Sequence, residues 1–181
     1  MTVSTLKFTS EQFHLMAIAG VFVSESNVEL IKGEIITMSP IGKKHGSCVA
    51  RLNQLLVQLF IGRFIIWGQS SIKLDNGSEP QPDLAVLNWR SDFYAQQLPT
   101  PEDILLIIEV ADSTIDYDRN IKMPLYAEFG IKEAWLLDVN EKILTKYSEP
   151  SSKGYKTSYR FDLNDSIICL DVAIAIADIL K

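Results

Sequence analysis

The sequence predicts one α/β (α+β) domain, a mixed β-sheet flanked by helices. Three observations lead there. The run Ile104 to Val110 is apolar on both faces, as expected of a central strand covered by helices. From Ser47 to Phe60, the residues Val49, Leu52, Leu55, Leu56, Leu59 and Phe60 recur at intervals of three and four, the mark of an amphipathic helix. The chain has 181 residues, 47% hydrophobic and 22% charged, enough for one real core and too short for two comfortable domains. A single domain over 1–181 follows, with no internal repeat, low-complexity tract or linker.

The elements can be justified in order. Thr9-Ser10-Glu11-Gln12 is a capping-box pattern, and Phe13, Met16 and Ala17 follow at helical spacing, so a short amphipathic helix is expected over 9–19, ended by Gly20. Residues 27–38 read as two strands around a Lys32-Gly33 turn. Pro40 to Gly46 is a loop before the long helix, and Arg63 to Leu74 a strand with a bulge at Gly68. Asp75 to Ser78 is a turn cluster. Then come the strand in Pro82-Asp83-Leu84-Ala85-Val86-Leu87, a polar loop to Pro101, and the central strand. A helix carrying Lys122 and Tyr126 begins near Asn120 or kinks at Pro124, because proline lacks the N–H that a helix interior needs, and it stops at Gly130. Strands follow over 133–138, 142–147, 154–161 (an edge strand) and 166–170, and a helix over 171–180 with Asp171 as N-cap closes the chain.

Several chemistries are excluded. Gly42-Lys43-Lys44 lacks the preceding glycine and the Ser/Thr of a nucleotide-binding P-loop, and neither a G-x-S-x-G elbow nor a G-x-G-x-x-G loop occurs. The two cysteines, Cys48 and Cys169, have no metal or disulfide spacing and read as core thiols of a reducing compartment. No apolar run approaches a membrane span and no signal-peptide pattern opens the chain, so a cytoplasmic protein is expected. A net charge of −6 argues against strong non-specific nucleic-acid binding, though not against a local basic cleft.

What remains is a pattern of carboxylates. Asp83 opens one strand and Glu109 sits near the end of another; Lys122 follows on a helix. Two carboxylates can hold Mg²⁺ or Mn²⁺, and a lysine can orient the attacking water or neutralise the transition state. Each has a plainer reading. Asp83 could be a strand-end turn residue, Glu109 half of a buried salt bridge, and Lys122 the i, i+4 surface partner of Asp118. Glu34 could face solvent or stand as a third acidic group near the metal. For His45 an exposed or capping role is favoured over proton transfer or phosphate contact, and His14 is expected to be a packed helix residue.

The stretch resembles the Uma2 (DUF820) family. Pro82-Asp83, Ile108-Glu109-Val110, Asp112-Ser113-Thr114, Asp118, Lys122, Tyr126, Gly130 and Glu133-Ala134-Trp135-Leu136-Leu137-Asp138 carry the likeness, with Ile31-Lys32-Gly33-Glu34, Met38-Ser39-Pro40 and His45-Gly46 upstream. The resemblance implies a restriction-endonuclease-like PD-(D/E)xK fold and a metal-dependent endonuclease acting on DNA, with a homodimer as the expected assembly. In that reading Asp83 and Glu109 bind Mg²⁺ or Mn²⁺, the Val110 carbonyl adds a ligand, Lys122 acts on the water and Glu34 assists. The lysine of E-x-K would fall at Ala111, so Lys122 is its migrated replacement. The alternative is an inactive nuclease-fold module that binds protein or nucleic acid.

Overall fold

The computed structural model describes residues 4–22, 28–38 and 40–180; Ser39 of the upstream motif and Asn27 of the expected hairpin lie outside them. A six-stranded mixed sheet, in the order β3-β4-β5-β6-β7-β8, organises the molecule. Its strands are β3 (Phe64–Gly68), β4 (Leu84–Asn88), β5 (Ile104–Ala111), β6 (Glu133–Asp138), β7 (Ile143–Ser151) and β8 (Gly154–Phe161). All neighbours are antiparallel except β5 and β6, which are joined by a helical crossover. The fold class is therefore the mixed α+β domain expected.

Each face of the sheet has its own core. On one face α2 (Lys43–Phe60) lays Leu52, Leu56 and Phe60 onto Val86, Leu106, Ile108 and Trp135. On the other, Met123, Leu125 and Tyr126 cover Ala85, Ile107, Ala111 and Leu136. The period-2 alternation of β5 thus sends Ile108 and Val110 to the α2 face, and Ile107, Glu109 and Ala111 to the opposite one. Glu109 is the only charged residue on that strand, and it points into the second core region.

The first helix, α1 (Ser10–Ile18), begins with the capping box: Gln12 N–H donates to Thr9 Oγ1 and Thr9 N–H to Gln12 Oε1. Only Phe13 of its apolar residues is fully buried, so its amphipathicity is weaker than the spacing suggests. His14 is not packed in a core but half-exposed, its Nε2 2.7 Å from the buried Glu79 carboxylate. The hairpin of β1 (Val28–Ile31) and β2 (Glu34–Thr37) turns through Lys32 (φ 49°) and Gly33 (φ 78°). Two consecutive positive φ values are what a two-residue type I′ turn requires.

Several boundaries differ from expectation, among them β7, which runs on to Ser151 instead of ending at Tyr147. The long helix starts at Lys43, earlier than its apolar periodicity, because Lys43 to Gly46 form a first turn with nothing apolar to bury. The expected strand 63–74 ends at Gly68, where Gln69 adopts φ 44° and Trp67 Nε1 donates to the Ser70 and Ser71 carbonyls instead of the chain continuing a ladder. The C-terminal segment is not one helix. Val172–Ala175 is a strand, β10, paired with β9 (Ser166–Cys169), and only Ile176–Ile179 is helical, α5. Alternating β-branched Val172 and Ile174 suit that hairpin, and Asp171 accepts from Arg63 (2.8 Å) rather than capping a helix.

Both cysteines are free and buried, and burial pushes the thiol of Cys48 up to about 11 and that of Cys169 up to about 12. They are inert core groups, as expected. Among the described residues no helix is long and apolar enough to cross a membrane.

Candidate active site

Asp83 and Glu109 meet because β4 and β5 are antiparallel neighbours. The register pairs Leu84 with Ile108, so one step further Asp83 stands opposite Glu109. The Asp83 N–H lies 3.4 Å from Glu109 Oε2, and the Val110 N–H donates to Asp83 Oδ2 at 2.8 Å. What Val110 gives in this arrangement is its amide. Both carboxylates line a cavity of about 430 Å³, with Lys122, Asp118, Glu29 and His45.

Lys122 reaches this cavity from a broken helix. α3 (Ile115–Tyr117) runs into a π-helical turn, Asp118–Lys122, followed by α4 (Met123–Glu128). The Met123 N–H donates to the Asp118 carbonyl, five residues back. Pro124 explains the widening: it has no N–H for the Asn120 carbonyl, and its ring would collide with that carbonyl in a regular helix. Asp118 and Lys122 both turn inward on this stretch. Lys122 is 1% exposed, so it is no surface partner of Asp118. Its ammonium instead lies 2.8 Å from Glu29 and 3.2 Å from Glu109, and donates to the Gln81 carbonyl at 3.3 Å.

Glu34 is not brought to the cavity. Its side chain is 55% exposed and paired with Lys7. The third acidic group is Glu29, on the first strand of the same hairpin and 1% exposed. Strand parity could not have found it, since the register sets Glu34 opposite Ile31 and so puts Glu29 and Glu34 on one face of the hairpin, with Glu34 at its exposed turn end. Gln81 N–H donates to Glu29 Oε1 at 2.8 Å, while Glu29 Oε2 is buried without a partner. Tyr126, which sequence reasoning gave no role in the site, donates its hydroxyl to Glu109 Oε1 at 2.5 Å and so fixes that carboxylate. His45 is neither exposed nor a cap: it is largely buried, with Nε2 2.9 Å from Asp83 Oδ1. Gly42 permits a close approach here, because a Cβ would come within 2.9 Å of Asp112 Oδ2.

The electrostatics follow from crowding. Burial, then the nearby Asp83, Asp118 and Glu29 charges, raise Glu109 well above the usual carboxylate range, against the pull of Lys122. Asp118 is raised for the same first reason, burial, and its bond from Thr114 only partly offsets it. Burial opposes the charge on Lys122, but attraction to Glu109 and Glu29 outweighs it and holds the ammonium above its ordinary value. The hydrogen bond to Asp83 likewise raises His45.

Five carboxylates (Glu29, Asp83, Glu109, Asp112 and Asp118) therefore line a cavity with one ammonium, Lys122, and the His45 imidazole. That excess of negative charge, with an unpartnered Glu29 oxygen, fits a cation with a preference for hard oxygen donors. Among the described residues no three His, Cys, Asp or Glu side chains form a ready-made metal cluster. The reason is local: Asp83 is turned to His45 and the Val110 amide, Glu109 to Tyr126 and Lys122. Two carboxylates with water completing the shell remain an ordinary Mg²⁺ donor set.

The sequence profile of Uma2, described as "Putative restriction endonuclease", matches residues 10–177. Among solved structures, a "putative nuclease belonging to DUF820" from Anabaena variabilis superposes with a TM-score of 0.68 at 18% identity, over 96% of this chain and 97% of that one. It shares the fold. The type IIG restriction endonuclease BpuSI aligns at a TM-score of 0.39 and 19% identity, over 65% of this chain and 14% of its own, too weakly to equate any residue. Among curated proteins none matches.

Proposed function

The chain belongs to the Uma2 family, and from that premise we propose a divalent-cation-dependent endonuclease that hydrolyses DNA phosphodiester bonds. The observation that carries this reading is the convergence of Asp83, Glu109 and Lys122 on one cavity. Asp83 and Glu109 would hold Mg²⁺ or Mn²⁺, with the Val110 carbonyl as a further oxygen. Such a cation lowers the pKa of bound water and offsets charge on the phosphate.

The chain's own groups do the rest. Tyr126 and Lys122 fix Glu109, and the Val110 amide and His45 fix Asp83. The three donors of Lys122 are already directed to Glu29, Glu109 and Gln81, so the lysine acts as a fixed positive charge beside the scissile phosphate rather than as a mobile proton carrier. Glu29, not Glu34, takes the part of the third acid: it anchors that ammonium. Saturation of Lys122 also favours a second reading, a nuclease-fold module whose buried lysine only holds the core.

Plasmid nicking separates the two. The purified protein is expected to convert supercoiled DNA to open circles with Mg²⁺ or Mn²⁺ and to stop in EDTA; no nicking across metals and DNA or RNA substrates would leave the non-catalytic module. Cutting both strands calls for two such sites, and a C₂ homodimer is the simplest assembly. Light scattering is expected to give twice the 20.4 kDa chain mass, and a monomer mass at micromolar concentration would remove the dimer.

A further inference from the structure

A second cavity of about 430 Å³ lies beside the first, at the start of α2. Its charge is opposite. Lys43, Lys44, Arg51 and Lys142 line it, and no carboxylate does. Among the described residues none of the four is in an ion pair, as is also true of Lys73, Lys132, Lys153, Lys156 and Arg160. Lys44 donates to Asn140 Oδ1 (2.9 Å) and Arg51 to the Ile179 carbonyl (3.1 Å), neutral acceptors that position both cations without cancelling them.

The local structure concentrates that charge. α2 has 18 residues, no acidic residue in its first turn and no side-chain cap at Gly42. Lys43 and Lys44 thus add positive charge to the positive end of a helix, on the side away from Asp112, which lies against Gly42. Lys142 sits in the β6–β7 turn at φ 55°, where Asn or Gly would be easier. On a chain of net charge −6 this is a local exception. The groove also adjoins the catalytic cavity: Gly42 lines one and Lys43 the other, and Asn140 joins Lys44 to Asp112 on the rim of the first.

We infer that this groove seats the phosphodiester backbone of the DNA strand flanking the cleaved phosphate. The inference rests on the nuclease reading and adds to it the path of the substrate. The division of labour is electrostatic. The carboxylate-rich cavity repels phosphate by itself, and the adjacent cations supply the attraction that brings a backbone to it.

The test measures binding of a fluorescent DNA duplex by anisotropy in EDTA, over a range of salt, beside plasmid nicking with Mn²⁺. K43Q/K142Q changes two exposed side chains, and an unchanged thermal melt checks its fold. K153Q/K156Q, on the β7–β8 hairpin at the far edge of the sheet, removes the same charge elsewhere. We expect K43Q/K142Q to weaken binding at least about tenfold at 0.1 M salt and to lower the salt slope by about two, with K153Q/K156Q near wild type. Equal effects from both pairs, or none from either, would overturn the groove. If the wild type nicks DNA while K43Q/K142Q binds normally, the groove fails and the nuclease reading stands. If the wild type binds through the groove but cleaves nothing, the groove stands and the nuclease reading fails. Competition by polyglutamate as effective as by DNA of matched charge would overturn it in favour of an acidic protein partner, and so would a wild type that binds no DNA at any salt.

Discussion

Lys122→Ala is expected to lose both cleavage and stability. Removing the ammonium leaves Glu29 and Glu109 facing each other in a region where Lys122 is 1% exposed. Breaking a buried ion pair from one side costs about 3–5 kcal/mol, because the remaining charge is uncompensated. For a domain of this size that lowers the melting temperature by on the order of 10 °C. A surface i, i+4 partner of Asp118 would cost no more than about 0.5 kcal/mol. Cleavage should fall roughly a hundredfold or more, since a fixed charge beside the transition state has been removed. Lost stability alone could mimic lost chemistry, so a second variant is needed. Glu29→Gln combined with Lys122→Met removes one charge of each sign and keeps the volume. Glu109, already raised by burial, can then carry a proton. This pair should recover most of the melting temperature and none of the nicking. Nicking at the wild-type rate by the double variant would refute a catalytic charge at Lys122 and leave it a structural residue.

Asp83, Glu109 and Lys122 were legible as candidates on two different grounds. Glu109 is a charged residue set in an apolar run that should be buried, and such a placement needs a partner; Asp83 and Lys122 stand out through the resemblance to the Uma2 family. What stayed hidden depends on register and on backbone detail. Glu29 and Glu34 share one face of one hairpin, and only tertiary packing buries Glu29 while Glu34, beside the turn, stays exposed. The sequence puts His45 in a loop because the first turn of α2 carries no apolar residue to extend the periodicity. Pro124 signals an interrupted helix, but not that the interruption is a π-turn that sends both Asp118 and Lys122 inward. The closing hairpin was missed because Val172 to Leu180 satisfies helical and alternating patterns alike, and the contact with β9 decides between them. The basic groove joins a helix start, a turn and the C-terminal segment, which no local pattern brings together.

Asp83→Asn should do the opposite of most site mutations: lower metal affinity and cleavage while leaving stability unchanged or slightly improved. Asp83 is 14% exposed at the cavity wall, and asparagine has its shape. The amide oxygen can still accept from the Val110 N–H, and its NH₂ can donate to a neutral His45. The charge lost is one that strains its surroundings, since Asp83 helps to raise both Glu109 and Asp118 above their ordinary values. Relief of that repulsion opposes the loss of the His45 pair, so the net change should stay within about 1 kcal/mol. Function responds differently, because an amide is a poor partner for a hard divalent cation and cannot replace the carboxylate charge. Calorimetric titration with Mn²⁺ should show affinity lowered at least about tenfold, and nicking should fall about a hundredfold or more. A site strained by like charges and stabilised when one is neutralised is the trade-off expected of machinery kept for activity. If Asp83 were there only to hold His45, the melting temperature would drop and metal affinity would not change; that pair of results would sink the carboxylate metal site.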